Sequence, residues 1–194
     1  RDLVRSRGLG DVYKRQASFS IYAYEALKEE LEQVEQLRFI FTSPTFIKDK
    51  SKKEKREFFI PKLNRERNLY GTDFELRLRN QLSQKAIAKE CADWIRRKVQ
   101  FRSNASQEQM GGFMHVNNET QRVYLPFNEF TTTQLGCERG ANVYNVVNVL
   151  PSPTANAYLE IFNEQWNNDE KFEDVTKRIL EYIDTVYQEN APEY

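Results

Sequence analysis

A single histidine limits the chemistry available to this chain. His115 is the only one among 194 residues, so a metal site built from several histidines is excluded, as is any mechanism needing two imidazoles within one chain. The two cysteines, Cys91 and Cys137, lie far apart without CxxC spacing. Neither a zinc site nor a disulfide framework is indicated. Cys91 falls on the apolar stripe of a helix and reads as a core thiol, because no neighbour would activate it. Glycine-rich phosphate loops and the GxSxG elbow are absent from the sequence. Carboxylates are plentiful, but spacing singles out no pair for acid–base work. These residues call for no metal and no cofactor.

Phosphate binding is the other chemistry on offer. Residues 48–67 carry Lys48, Lys50, Lys52, Lys53, Lys55, Arg56, Lys62, Arg65 and Arg67 against Asp49, Glu54, Glu57 and Glu66. The first half lacks apolar periodicity and reads as a loop. Solvated surface is the plain reading of such a run; contact with nucleic-acid phosphates is the sharper one. Lys62, Arg65 and Arg67 are the candidates, since they approach Thr72-x-x-Glu75, a capping box that opens a helix. Helix N-terminal N–H groups favour an anion there. Nothing resembles a recognition helix or an aromatic ladder, so such contact would be blind to sequence.

The elements that must position these residues alternate between helix and strand. Phe19, Tyr22, Ala23, Ala26, Leu27, Leu31 and Val34 form one helical stripe. Leu37–Phe41 reads as a buried strand stopped by Ser43-Pro44. From the capping box, Phe74, Leu78, Leu82, Ala86, Ile87, Cys91, Trp94 and Ile95 continue an apolar face to about Lys98, and Val99–Arg102 reads as the next strand. Phe113–Val116 and Val123–Phe127 suit a hairpin turning at Asn117–Thr120. Asn142–Val149 reads as a further strand ending at Pro151. Two helices follow, one with Tyr158, Leu159, Phe162 and Trp166, the other running from Phe172 through Val175, Ile179 and Ile183 to Tyr187. Their acidic residues outnumber their basic ones. The pattern is α/β, with a mixed sheet and helices on both faces. No apolar run approaches the roughly 18 residues that span a bilayer. The plain reading is a soluble, cytosolic domain.

The opening residues stand apart. Ser6–Gln16, Ser-Arg-Gly-Leu-Gly-Asp-Val-Tyr-Lys-Arg-Gln, resemble the translation of a transposon-type sequencing adapter, and Arg1–Arg5 suit the index region before it. On that reading residues 1–16 are not native, the domain begins near Ala17, and the strand expected before the first helix is missing or truncated. Residues 1–16 should then make no native-like contact with the core. They hold five of 29 basic and two of 29 acidic residues, leaving 24 against 27. A nearly neutral domain has no global pull on polyanions, so any nucleic-acid surface must be local.

Asn128-Glu129-Phe130-Thr131-Thr132-Thr133-Gln134-Leu135-Gly136 resembles the segment of phospholipase D-like proteins in which a strand ends in Gly-Ser-x-Asn, then Phe-Thr and a Gly-Leu turn. Asn142–Val146, the helix with Phe162 and Trp166, and the opening Ser18–Tyr24 are similar to other parts of that family. Ile60–Arg67 and Lys85–Ile95 resemble the phospholipase D-like domain at the N-terminus of bacterial superfamily-two helicases of the switch/sucrose-nonfermenting type. The resemblance covers most of 17–170, with 171–194 an acidic helix leading toward a downstream motor.

Active members of that family use His-x-Lys, the histidine attacking phosphorus and the lysine holding phosphate oxygens. Here one register gives His115-Val116-Asn117, with asparagine in place of lysine. The other puts Gln107 and Gln109 at the two positions. Pro126-Phe127 replaces the Gly-Ser pair, and Arg102 or Arg122 would have to compensate. The implied site (His115, Asn117, Asn128, Glu129 and Thr131) is degenerate. The resemblance thus implies a catalytically weakened or inactive accessory domain of a DNA helicase or restriction-type protein, docking DNA or the motor. Two other readings stay open: a phosphodiesterase or nuclease half-site completed by a second subunit, as in a homodimer, and a pure protein-interaction module.

Overall fold

The computed structural model describes residues 10–16, 18–42, 81–106, 108–132, 134–137 and 146–189. Lys62, Arg65, Arg67 and the capping box at Thr72 lie outside them. The elements are β1 (Asp11–Gln16), β2 (Ser18–Phe19), α1 (Ile21–Ala26), α2 (Lys28–Leu31), β3 (Leu37–Phe41), α3 (Gln81–Lys98), β4 (Val99–Asn104), β5 (Phe113–Asn117), β6 (Arg122–Leu125), β7 (Glu129–Phe130), β8 (Asn148–Pro151), α4 (Thr154–Trp166), β9 (Phe172–Asp174) and α5 (Thr176–Glu189).

Seven strands form one mixed sheet in the order β8-β6-β5-β1-β3-β4-β9. The core β1, β3 and β4 run parallel, while β5, β6, β8 and β9 are added antiparallel. Side chains alternate between the two faces, as the pleat requires. Val12, Leu37, Phe39, Phe41, Val99 and Phe101 join one apolar cluster with Ile87, Cys91, Trp94 and Ile95 of α3 and Ile179 and Ile183 of α5. Tyr13, Ile40, Phe113 and Val123 join the other, under Ala155 and Phe162 of α4. Helices therefore cover both faces. Cys91 is buried in the larger cluster as a free thiol, its ionisation pushed up by burial.

Over residues 10–16 the structure corrects the expectation that the opening segment stands outside the packing. β1 occupies the centre of the sheet, paired along its length with β3 and β5, and Val12 and Tyr13 are buried. The sheet is accordingly not short of a strand beside β3. The physical reason is that an extended strand flanked on both sides gains backbone hydrogen bonds whatever its sequence. Val12 and Tyr13 also have side chains that suit a strand. Tyr13 packs edge-on against Phe162 at 5.2 Å.

Three further boundaries differ from the sequence pattern. The first helix is broken at Leu27 into α1 and α2, with the Ser20 hydroxyl accepting from the Tyr22 N–H at 3.2 Å to start α1. The strand expected over Asn142–Val149 is Asn148–Pro151 within the described residues. Phe172 lies in the edge strand β9, not in the last helix. There its segment pairs with β4, and the Asp174 carboxylate accepts from the Thr176 N–H at 2.9 Å to start α5. Because Phe172, Val175, Ile179 and Ile183 are all buried, packing runs unbroken past residue 170.

α4 is clamped at its C-terminal end by arginines from the sheet. The Arg102 guanidinium donates to the Trp166 carbonyl and pairs with Asp169. Arg38 lies over the rings of Tyr13 at 5.8 Å and Trp166 at 5.6 Å. Cations suit this negative end of a helix, and aromatic faces hold them.

Candidate functional site

In open α/β sheets ligands bind beyond the carboxyl ends of the parallel strands, where the strand order changes direction. Here that point is the end of β1, with β3 on one side and β5 on the other. Glycine brings two segments together beside it. A Cβ on Gly112 would lie 2.4 Å from the Phe127 carbonyl oxygen and 2.8 Å from the Asn128 Cα. The Phe127 N–H donates to the Gly112 carbonyl at 3.0 Å. This contact sets Asn128 and Glu129, both exposed, on the rim. β7 then pairs in parallel with β2, with Phe130 stacked on Phe19 at 5.2 Å.

Most of the polar groups on this rim are spent on holding it together. Thr131 is buried; its hydroxyl accepts from the Gln134 N–H at 3.2 Å and its carbonyl from the Leu135 N–H at 3.0 Å, shaping the turn to Gly136. Asn104, at the end of β4, is buried as well. Its amide donates to the carbonyls of Thr42 and Glu108 at 3.0 and 2.9 Å, and its oxygen accepts from Ser106. Sequence reasoning missed Asn104, although Asn-x-Ser at a strand end is a turn signal.

Of the implied phosphodiesterase residues, Asn128, Glu129 and Thr131 share the rim, but His115 and Asn117 do not join them. Asn128 and Glu129 sit beyond the Phe113 end of β5, whereas Asn117 is at its other end, about 13 Å away along the strand. His115 lies between them and turns toward α4, in register with Tyr13 and Val123. It has no accessible surface. Neither ring nitrogen has a hydrogen-bond partner, and the Tyr13 ring meets it edge-on at 5.8 Å. Burial pulls its pKa down to about 4, opposed by the Ala155 backbone. A neutral imidazole closed in by side chains cannot reach phosphorus in this conformation.

The compensating groups are no better placed. Arg102 is engaged by α4, and Arg122 is exposed on β6. Phe127, where the resemblance implies a small residue, is fully buried. Gln107 lies outside the described residues, and Gln109 is exposed.

Arg38 was also missed, although an arginine inside the apolar strand Leu-Arg-Phe-Ile-Phe is visible in sequence; its position marks it as a clamp for α4. Among the described residues, no group of three or more histidine, cysteine or acidic side chains could hold a metal ion. No helix there is long and apolar enough to cross a membrane.

No family model matches the chain, and no curated protein matches it.

Proposed function

We propose that this chain is a non-catalytic, phospholipase D-like accessory domain that helps to dock DNA, or the motor of a helicase or restriction-type protein. The observation that carries the reading is His115: buried, neutral and turned under α4, it is a packing residue where an active relative would present a nucleophile. The spread of Asn117, Asn128 and Glu129 along β5 and beyond supports the same reading. Any DNA contact falls to Lys62, Arg65 and Arg67 and runs through phosphates. A specific observation also favours a protein-interaction module: Val146, Val149 and Ile161 are exposed, the second of them on the edge strand β8.

Titration of a short duplex DNA at several salt concentrations separates these readings. If all three cations neutralise phosphates, log affinity falls against log salt with a slope of about −2.7. Charge reversal of Lys62, Arg65 and Arg67 together abolishes binding and leaves the circular dichroism of the fold unchanged. A triple variant that binds like the parent, or a parent that does not bind at low salt, refutes DNA docking and leaves the protein-interaction reading. Phosphodiester cleavage that is lost in His115→Ala establishes the half-site enzyme instead.

A further inference from the structure

His115 is a buried titratable group under α4 to which the proposed function gives no chemistry. It sits mid-strand on β5, where it has no accessible surface and no hydrogen bond to either nitrogen. The first turn of α4 lies on it through Ala155, which is itself fully buried. The Ala155 backbone favours a cation on the ring, but burial outweighs it.

No charged side chain described around the ring would compensate a charge there. β1 contributes Tyr13, whose hydroxyl donates to the Asp11 carboxylate at 3.3 Å. Asp11 is in register with Asn117, two residues along from His115. β6 contributes Val123, and β8 contributes Leu150 opposite it. α4 contributes Tyr158, whose ring packs on Phe113 at 5.1 Å. Burial and the Ala155 backbone are the influences on His115, with no charged side chain among them.

The first turns of the helix above it are lightly held, whereas Arg102 and Arg38 clamp its far end. Of the thirteen residues in α4, only Ala155 and Phe162 are buried. The opposite face of the sheet has the larger cluster, with α1, α3 and α5 packed on it.

We propose that His115 is an acid-operated latch on α4: neutral, it lets the helix close over β5, β6 and β8; protonated, it releases the first turns of the helix while the clamped far end and the opposite face stay packed. The sign follows from where the proton binds. The closed state holds the imidazole at about 4, below its ordinary 6.5, so the open state takes up the proton first. Opening is insensitive to pH above about 6.5. It rises up to about tenfold per unit as pH falls toward 4, and levels off below, a total of up to about 300-fold.

The test uses the full chain and its single histidine, which gives one imidazole signal by NMR. The expected result is an imidazole that titrates well below 6.5 in the folded protein. Amide exchange, corrected for its intrinsic pH dependence, speeds up in 154–161 between pH 6.5 and 4, before it does in 37–41 or 91–98. His115→Phe flattens that dependence. An imidazole titrating at or above 6.5 overturns the proposal. So does loss of protection in α4 and β3 together, or an equal pH slope in parent and variant. Should His115→Phe fail to fold, the titration and the order of exchange in the parent decide the matter.

Discussion

Truncating Tyr13 to alanine weighs the place of β1 in the fold. The side chain is 8% exposed, packed edge-on against Phe162 at 5.2 Å and His115 at 5.8 Å, with the Arg38 guanidinium over its face. Removing a buried aromatic ring costs about 3–5 kcal/mol through lost transfer energy and the cavity left behind. The two aromatic pairs and the cation above the ring place Tyr13 toward the upper half of that range, so we expect about 4 kcal/mol. Domains of this kind hold only about 5–15 kcal/mol in total, and the variant should lie near its unfolding limit. Tyr13→Phe keeps the ring and loses a 3.3 Å hydrogen bond to Asp11, for a cost of at most about 1 kcal/mol. Urea unfolding followed by circular dichroism measures both. With a urea slope of about 2 kcal/mol per molar, Tyr13→Ala lowers the midpoint by about 2 M without changing the slope. A Tyr13→Ala variant within about 0.5 kcal/mol of the parent refutes the argument, because that is the cost of a substitution on an exposed tail.

Two further outcomes follow from the packing. In the native protein a thiol reagent should label Cys137, which is exposed, and leave Cys91 untouched until denaturant is added; labelling of both at once would show that the α3 face is open. Gly112→Ala should destabilise by about 1–3 kcal/mol, because its methyl group meets backbone at Phe127 and Asn128. Gly111→Ala has open space around the new methyl and should be neutral or stabilising by about 0.4–1 kcal/mol. Thermal unfolding of the pair compares the two, and equal melting temperatures would contradict the close approach at residue 112.

The α/β alternation was legible because its elements carry strong local patterns. Leu37–Phe41 is an unbroken apolar run, and Ile87, Cys91, Trp94 and Ile95 recur at helical spacing. The hairpin of β5 and β6 announced itself through two apolar runs around a polar turn. β1 was not legible, because Asp-Val-Tyr-Lys-Arg-Gln has only two residues with a strand preference worth reading. Its conformation comes from the neighbours on both sides, a tertiary effect that no local window contains. The same limit hid the roles of His115 and Arg38. Sequence shows that a residue can titrate or carry charge, but not which face of a strand it takes. That face decides whether His115 meets solvent or Ala155. Phe172 was misread because one apolar residue fits a helix stripe and an edge strand equally well until its partner, Asn104, is known.

The position of β1 has a consequence for the order of assembly during synthesis. Its parallel neighbour β3 follows within about 25 residues, as Val12 pairs with Leu37. Its other neighbour arrives far later, since Asp11 pairs with Asn117, about 100 residues on. At roughly 5–20 residues per second, the ribosome leaves that second edge of β1 unpaired for about 5–20 s. An open strand edge is a template for any other extended chain. The nascent chain is therefore most exposed to mispairing before β5 emerges, and slowing translation between codons 42 and 113 should lower the yield of folded protein more than slowing it after codon 151.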